Sequence, residues 1–245
     1  MLHISIKAEP IFKIFGFSIT NSLFLSLAVL ALFLILALNY YSSARKKTKN
    51  TLFYLMTFVI RGVHSLFESI FQEKTGYFFP LVGSFFFFIL FQNWLGLIPG
   101  VGSILIKVME HSEEVSVPLF RSNTADLNTT LTLALISVVF SQYVGIKHLG
   151  FIKYIQKFIN LKSPMMFFTG LMETISEVSK IVSFSFRLFG NIFAGEVILG
   201  IVAFLVPILA SFPFFLFEIF VGFVQAIVFA MLSGVFYKLA IEEAH

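Results

Sequence analysis

Between Lys13 and Arg45 the chain carries no charged residue, and Ile19 to Leu38 inside that interval is apolar over the length that one helix needs to cross a bilayer. Comparable runs recur at 77–97, 127–144, 165–206 and 211–241. Lipid offers no partner to a backbone N–H or C=O, so segments of this kind must satisfy their own hydrogen bonds, as helices do. The expected fold is therefore an all-α integral membrane protein forming one membrane domain over 1–245. It has about five membrane-embedded helices (19–38, 77–97, 127–144, 165–206 and 211–241) and one interfacial amphipathic helix (51–74). The last two helices form a long, steeply tilted antiparallel hairpin. Composition agrees: 58% hydrophobic residues, 12% charged and 35 phenylalanines are too apolar for a water-soluble domain.

The net charge of +4 does not point to nucleic acid, because the cations sit at the ends of apolar runs and not along one stripe. They instead set topology. Arg45, Lys46, Lys47, Lys49, Arg61 and Lys74 in one loop region, with Lys147, Lys153, Lys157 and Lys162 in another, outweigh Lys7, Lys13, Lys107 and Arg121 on the opposite side. By the positive-inside rule the amino terminus is expected outside and the carboxyl terminus in the cytoplasm. The basic cluster follows the first apolar run, which is the reverse of a cleaved signal peptide, so that helix is expected to stay. Absence of cysteine excludes disulfides and thiolate metal sites. No phosphate loop, nucleophile elbow or metal-ligand spacing occurs, so no cofactor, metal or catalytic residue is expected.

Along the chain, Thr57, Arg61, His64, Ser65, Glu68 and Gln72 recur at helical spacing against apolar residues, as in a helix lying at the inner surface. His64 and Glu68, four apart, read as a solvated pair. Trp94 marks the outer end of the 77–97 span. The loop 98–125, with Glu110, His111, Glu113 and Glu114, reads as a solvated acidic loop outside. Asp126 stands where a helix cap is needed before Leu127. A helix over 165–206 is roughly 60 Å long at 1.5 Å per residue, twice the ~30 Å hydrocarbon thickness, so it must tilt or break.

The polar residues inside that helix carry the functional signal. From Glu173 to Glu196 the chain reads ETISEVSKIVSFSFRLFGNIFAGE. An ionised side chain at mid-helix costs about 2.5 to 3.5 kcal/mol on insertion scales, so Arg187 and Glu196 need a reason to be there. Lys180, Arg187 and Asn191 share one helix face, while Glu196 points about half a turn away. The next run holds Glu218 and Gln225, seven apart and on one face. Folding back at Pro207 gives Arg187 and Gln225 a sequence midpoint of 206, and Glu196 and Glu218 a midpoint of 207. One antiparallel register thus sets Arg187 opposite Gln225 and Glu196 opposite Glu218. The bland alternative is interhelical glue. At the inner end, Glu173, Glu177 and Lys180 read equally as interfacial snorkelling residues, or, for Glu173 with Ser176 and Ser183, as the lining of an inner path.

Arg187-Leu188-Phe189-Gly190-Asn191, Ala194-Gly195-Glu196 and Gln225 resemble the signature of the a subunit of F-type ATP synthases. The likeness extends to Glu173, Ser176, Lys180 and Ser183, to Thr124-Ala125-Asp126-Leu127-Asn128 and to Ala8-Glu9-Pro10-Ile11-Phe12. It implies a non-catalytic, proton-translocating stator with two aqueous half-channels, in which Arg187 faces the carboxylate of a rotating c ring. Asn191, Gln225, Glu218, Glu196 and Asp126 join it in proton translocation, the last three on the outer path, and Glu173, Ser176 and Ser183 are inner half-channel candidates. The implied partners are the c-ring subunits, peripheral-stalk b subunits and the lipid bilayer, with one copy of the chain per complex. The sequence departs from many relatives in carrying acids at both 196 and 218, where they pair one acid with one histidine, and has Ile181 where some have proline. Glu196 favours a bacterial inner membrane over the mitochondrial one. The alternative function is a secondary ion-coupled transporter; such folds show repeated halves with broken helices, and no repeat is found.

Overall fold

The computed structural model describes residues 8–14, 17–98, 105–110, 113–159, 163–206 and 211–242. Two short strands, β1 (Pro10–Ile14) and β2 (Phe17–Thr20), pair antiparallel and lead into α1 (Asn21–Ala44), which Thr20 caps by accepting the Leu23 N–H at 3.3 Å. Next come α2 (Thr51–Phe71) and α3 (Thr75–Leu97), joined by a 3-10 turn at Gln72–Lys74. Gln72 adopts φ 51°, a left-handed conformation that breaks the helix between them. A second antiparallel hairpin, β3 (Leu105–Glu110) and β4 (Glu113–Pro118), precedes α4 (Leu127–Leu149), the short α5 (Phe151–Phe158) and the two long helices α6 (Pro164–Leu205) and α7 (Ser211–Glu242).

Five helical stretches are long and apolar enough to cross a membrane: Asn21–Ala44, Thr51–Leu97, Leu127–Leu149, Pro164–Leu205 and Ser211–Ile241. The chain is an all-α, multi-pass membrane protein. The hairpins add to that expectation: part of the acidic loop forms β3 and β4, and His111 and Ser112 between them lie outside the described residues. Val117 of β4 is buried. Both hairpins belong to one cap, since Asn21 Nδ2 donates to the Pro118 carbonyl at 3.3 Å and the Asn21 N–H donates to the Glu9 carbonyl at 3.0 Å.

Lipid removes the hydrophobic drive between helices, so contact depends on close packing and interhelical hydrogen bonds. α7 is the hub. Its Ala226 and Ala230 are fully buried, and Gly222 brings the backbone so close to α3 that a Cβ there would stand 3.0 Å from Asn93 Cβ. Aromatic contacts fill the remainder: Phe85 meets Phe229 at 5.5 Å between ring centres, and Phe184 of α6 meets Phe229 at 5.1 Å and Phe236 at 5.3 Å. A buried hydroxyl set joins α4 to α7, with Ser137 Oγ donating to Ser233 Oγ at 2.7 Å and Tyr237 Oη to Ser137 Oγ at 3.2 Å.

α6 is continuous over 42 residues, begun by Pro164 in the first turn and by Ser163, whose hydroxyl accepts the Met166 N–H at 3.2 Å. Of the two ways to fit its length into a bilayer, an unbroken helix leaves the tilt. Only a narrow seam is buried, at Phe184, Ser185, Leu188, Ile192 and Gly195, with Gly170 nearer the start. The opposite side is open and apolar. The break expected at Pro207 lies outside the described residues.

Candidate functional site between the two long helices

Arg187 emerges from the buried seam of α6 onto its exposed side, where its Nη2 donates to Ser183 Oγ at 3.3 Å, one turn back. Beside the seam a small cavity is lined by Phe184, Arg187 and Leu188 of α6 and by Gln225, Val228, Phe229 and Leu232 of α7. Arg187 and Gln225 therefore share one layer, as the midpoint at 206 requires. Asn191 is exposed, one turn beyond Arg187 on the same face.

About two turns further along α6, Gly195 is buried under α7. A Cβ at this position would overlap the carboxylate of Glu218, so the missing side chain is what admits Glu218 against the α6 backbone. Glu218 is 5% exposed. Its layer is that of Glu196, but the two acids face different ways. Glu196 turns toward the segment before α4, where Arg121 Nε donates to its Oε2 at 3.3 Å.

Arg121 was legible in the sequence only as a loop cation. In the structure it is buried among a belt of polar groups where α1, α3 and α4 meet. Gln92 Nε2 and Asn123 Nδ2 both donate to Ser26 Oγ, at 2.9 and 2.7 Å. Thr124 Oγ1 donates to Asn93 Oδ1 at 2.5 Å, and Asn93 Nδ2 to the Gly222 carbonyl at 2.9 Å. Gln92 and Asn93 interrupt a phenylalanine-rich span, and a polar pair at that depth is itself a signal. Asp126 caps α4 by accepting the Asn128 N–H at 3.0 Å, and it also accepts Ser22 Oγ at 3.4 Å, which ties the cap to α1.

The inner candidates part company. Glu173 is held by Lys157 of α5 at 2.9 Å, Ser176 is exposed, and Ser183 is the acceptor for Arg187. α5 is seated by two glycines: a Cβ on Gly145 would stand 2.5 Å from Tyr154 Cε2, and one on Gly170 would overlap the Phe158 carbonyl oxygen. His64 contacts the ring of Phe79 edge-on at 4.8 Å. Among the described residues no three His, Asp or Glu side chains cluster as a metal site would require.

The arrangement offers a fixed cation at the border of an apolar face and, two to three turns away, two carboxylates in different surroundings. Such a set can attract an anion at one level and exchange protons at another. Comparison with known proteins bears on which set this is. The family described as ATP synthase A chain matches residues 22–238. ATP synthase subunit a of Syntrophobacter fumaroxidans is 40% identical over 191 residues, covering 76% of this chain and 70% of that one. The protein of the same name from Geobacter sulfurreducens is 36% identical over 193 residues, covering 78% and 74%. That of Geotalea daltonii is 34% identical over 224 residues, covering 90% and 86%. With nearly its whole length matched, the chain belongs to the ATP synthase A chain family.

Proposed function

We propose that this chain is the proton-translocating stator subunit of a rotary F-type ATP synthase, non-catalytic, providing two aqueous half-channels beside a ring of c subunits. The observation that carries the reading is Arg187: a permanent cation on the exposed side of a membrane helix, steadied by Ser183 and backed by Gln225 across one small cavity. A guanidinium stays charged at any working pH. It favours the ionised form of a carboxylate that passes it, and it repels a proton moving straight from one half-channel to the other.

Protons enter from outside past Asp126, Glu196 and Glu218 and neutralise a ring carboxylate. After rotation through lipid that carboxylate loses its proton on the inner path, near Glu173, Ser176 and Ser183. Asn191, on the Arg187 face, and Gln225 complete the site. The broad open side of α6, with Val182, Phe186 and Ile198 exposed, is the surface offered to the ring. Peripheral-stalk b subunits are further partners, with one copy of this chain per complex. Five apolar stretches and the cation bias support one membrane domain with its amino terminus outside and its carboxyl terminus in the cytoplasm. Bacterial relatives favour a bacterial inner membrane, and family membership favours the stator over a secondary transporter.

The test is Arg187→Ala in the complete complex, with ATP-driven proton uptake measured in inverted vesicles. Loss of uptake with normal assembly is expected. Uptake near the wild-type rate would remove Arg187 from the mechanism.

A further inference from the structure

Lys180 lies on the same face of α6 as Arg187, two turns or about 10 Å toward the inner end. An exposed ammonium there would be a second attractor for any anion approaching Arg187. The structure disposes of it. Lys180 Nζ is bonded to Glu177 Oε1 at 2.6 Å and lies 4.6 Å from the centre of the Phe236 ring on α7. The other oxygen, Glu177 Oε2, accepts Gln142 Nε2 of α4 at 2.7 Å, and Gln142 Oε1 accepts the hydroxyl of Tyr154 on α5. Each carboxylate oxygen is thus occupied, and the amide of Gln142 is oriented by a donor on one side and an acceptor on the other. Glu177 and Lys180 side chains are only 14% and 22% exposed. Between Lys180 and the Arg187 cavity stand the rings of Phe184, Phe229 and Phe236, in mutual contact through Phe184.

We infer that Glu177 is a positioning residue: held by Gln142 and Tyr154, it draws Lys180 into the α6–α7 crevice and cancels its charge, leaving Arg187 as the one uncompensated cation that α6 offers to a ring carboxylate. The inference rests on the stator reading and adds a condition to it. The arginine must be alone on its face as well as present. With Glu177 neutral, the ammonium keeps its charge and the passing carboxylate meets two cations along one helix.

The test uses the complete complex in vesicles, with Glu177→Gln, the double variant Glu177→Gln, Lys180→Gln, and Arg187→Ala alongside. Glutamine keeps the size of Glu177 and still accepts a hydrogen bond, so a purely structural role is disturbed equally in the single and the double variant. A freed unit charge at ~10 Å and an effective dielectric near 20 slows ATP-driven uptake on the order of tenfold in the single variant, and the double variant returns to within about twofold of wild type. A single variant that assembles poorly while the double assembles and pumps also supports the charge account. Wild-type uptake in Glu177→Gln while Arg187→Ala is inactive overturns this inference and leaves the stator reading intact. A double variant that pumps no better than the single, or that fails to assemble, overturns it as well. Wild-type uptake in Arg187→Ala overturns both.

Discussion

Gly195→Ala moves one carboxylate without touching any charge. The added methyl would occupy the place of the Glu218 carboxyl group. The α6 backbone is fixed by its buried seam, so the acid has to swing aside. Forcing a methyl into a filled site costs about 1 to 3 kcal/mol, and alanine in place of glycine returns about 0.5 to 1 kcal/mol by restricting the unfolded chain. The net effect on stability is small enough for assembly to proceed. The displaced acid is another matter. At 1.36 kcal/mol per factor of ten, 1 to 3 kcal/mol carried into proton transfer corresponds to roughly a 5- to 160-fold loss. Passive proton conduction through the membrane sector, driven by a potassium diffusion potential, reads that loss directly. Glu218→Asp on the same background withdraws the carboxylate by one carbon–carbon bond, about 1.5 Å, and makes room for the methyl. The double variant is expected to conduct better than Gly195→Ala alone. Conduction at the wild-type rate in an assembled Gly195→Ala complex, or a double variant worse than the single, would refute the reasoning.

The shared cavity predicts that the exchange Arg187→Gln with Gln225→Arg, which keeps one cation in that layer, outperforms either single change in gradient-driven ATP synthesis; cysteines at 187 and 225 in an inactive background should crosslink. Gly170→Ala sets a methyl against the Phe158 carbonyl, a backbone atom that cannot give way, so α5 should loosen by about 1 to 3 kcal/mol and limited proteolysis should cut near Phe151–Phe158 faster than in wild type. Tyr237→Phe removes one donor from the hydroxyl set with Ser137 and Ser233, and unfolding in mixed micelles should show a loss of about 0.6 kcal/mol and no more than about 1.7.

The register of α6 against α7 was legible because both are unbroken helices that fold back on each other, so a midpoint in sequence becomes a layer in space. Arg187 and Gln225 line one cavity on that account, and Gly195 meets Glu218. The partner of Glu196 was not legible. Arg121 is 75 residues away along the chain, in a segment between β4 and α4 where no helical period fixes direction. Gln142 and Glu177, 35 apart, lie on helices joined through α5, and their meeting depends on Gly145 and Gly170 letting that short helix close in. The two hairpins escaped for a different reason. Runs such as Leu105–Glu110 are too short and too interrupted by charge for period-two alternation to separate a strand from a solvated loop.

The charges of α6 follow a single rule once their partners are known. The helix carries three acids and two cations. Glu173 meets Lys157 of α5, Glu177 meets Lys180 three residues on in the same helix, and Glu196 meets Arg121 from the segment before α4. Each acid is therefore paired, two of them with cations drawn from other elements, and Arg187 is left with only a serine hydroxyl among the described residues. Removing one partner from a buried ion pair costs several kcal/mol, far more than an exposed pair returns. A chain selected for stability alone would have paired the arginine too, with an acid in its own layer, where α7 places Gln225. Instead Glu218 is packed against Gly195, and Arg187 is turned to the open side. Charge is neutralised along the whole helix except at the one position where a partner from outside the chain can supply the missing anion.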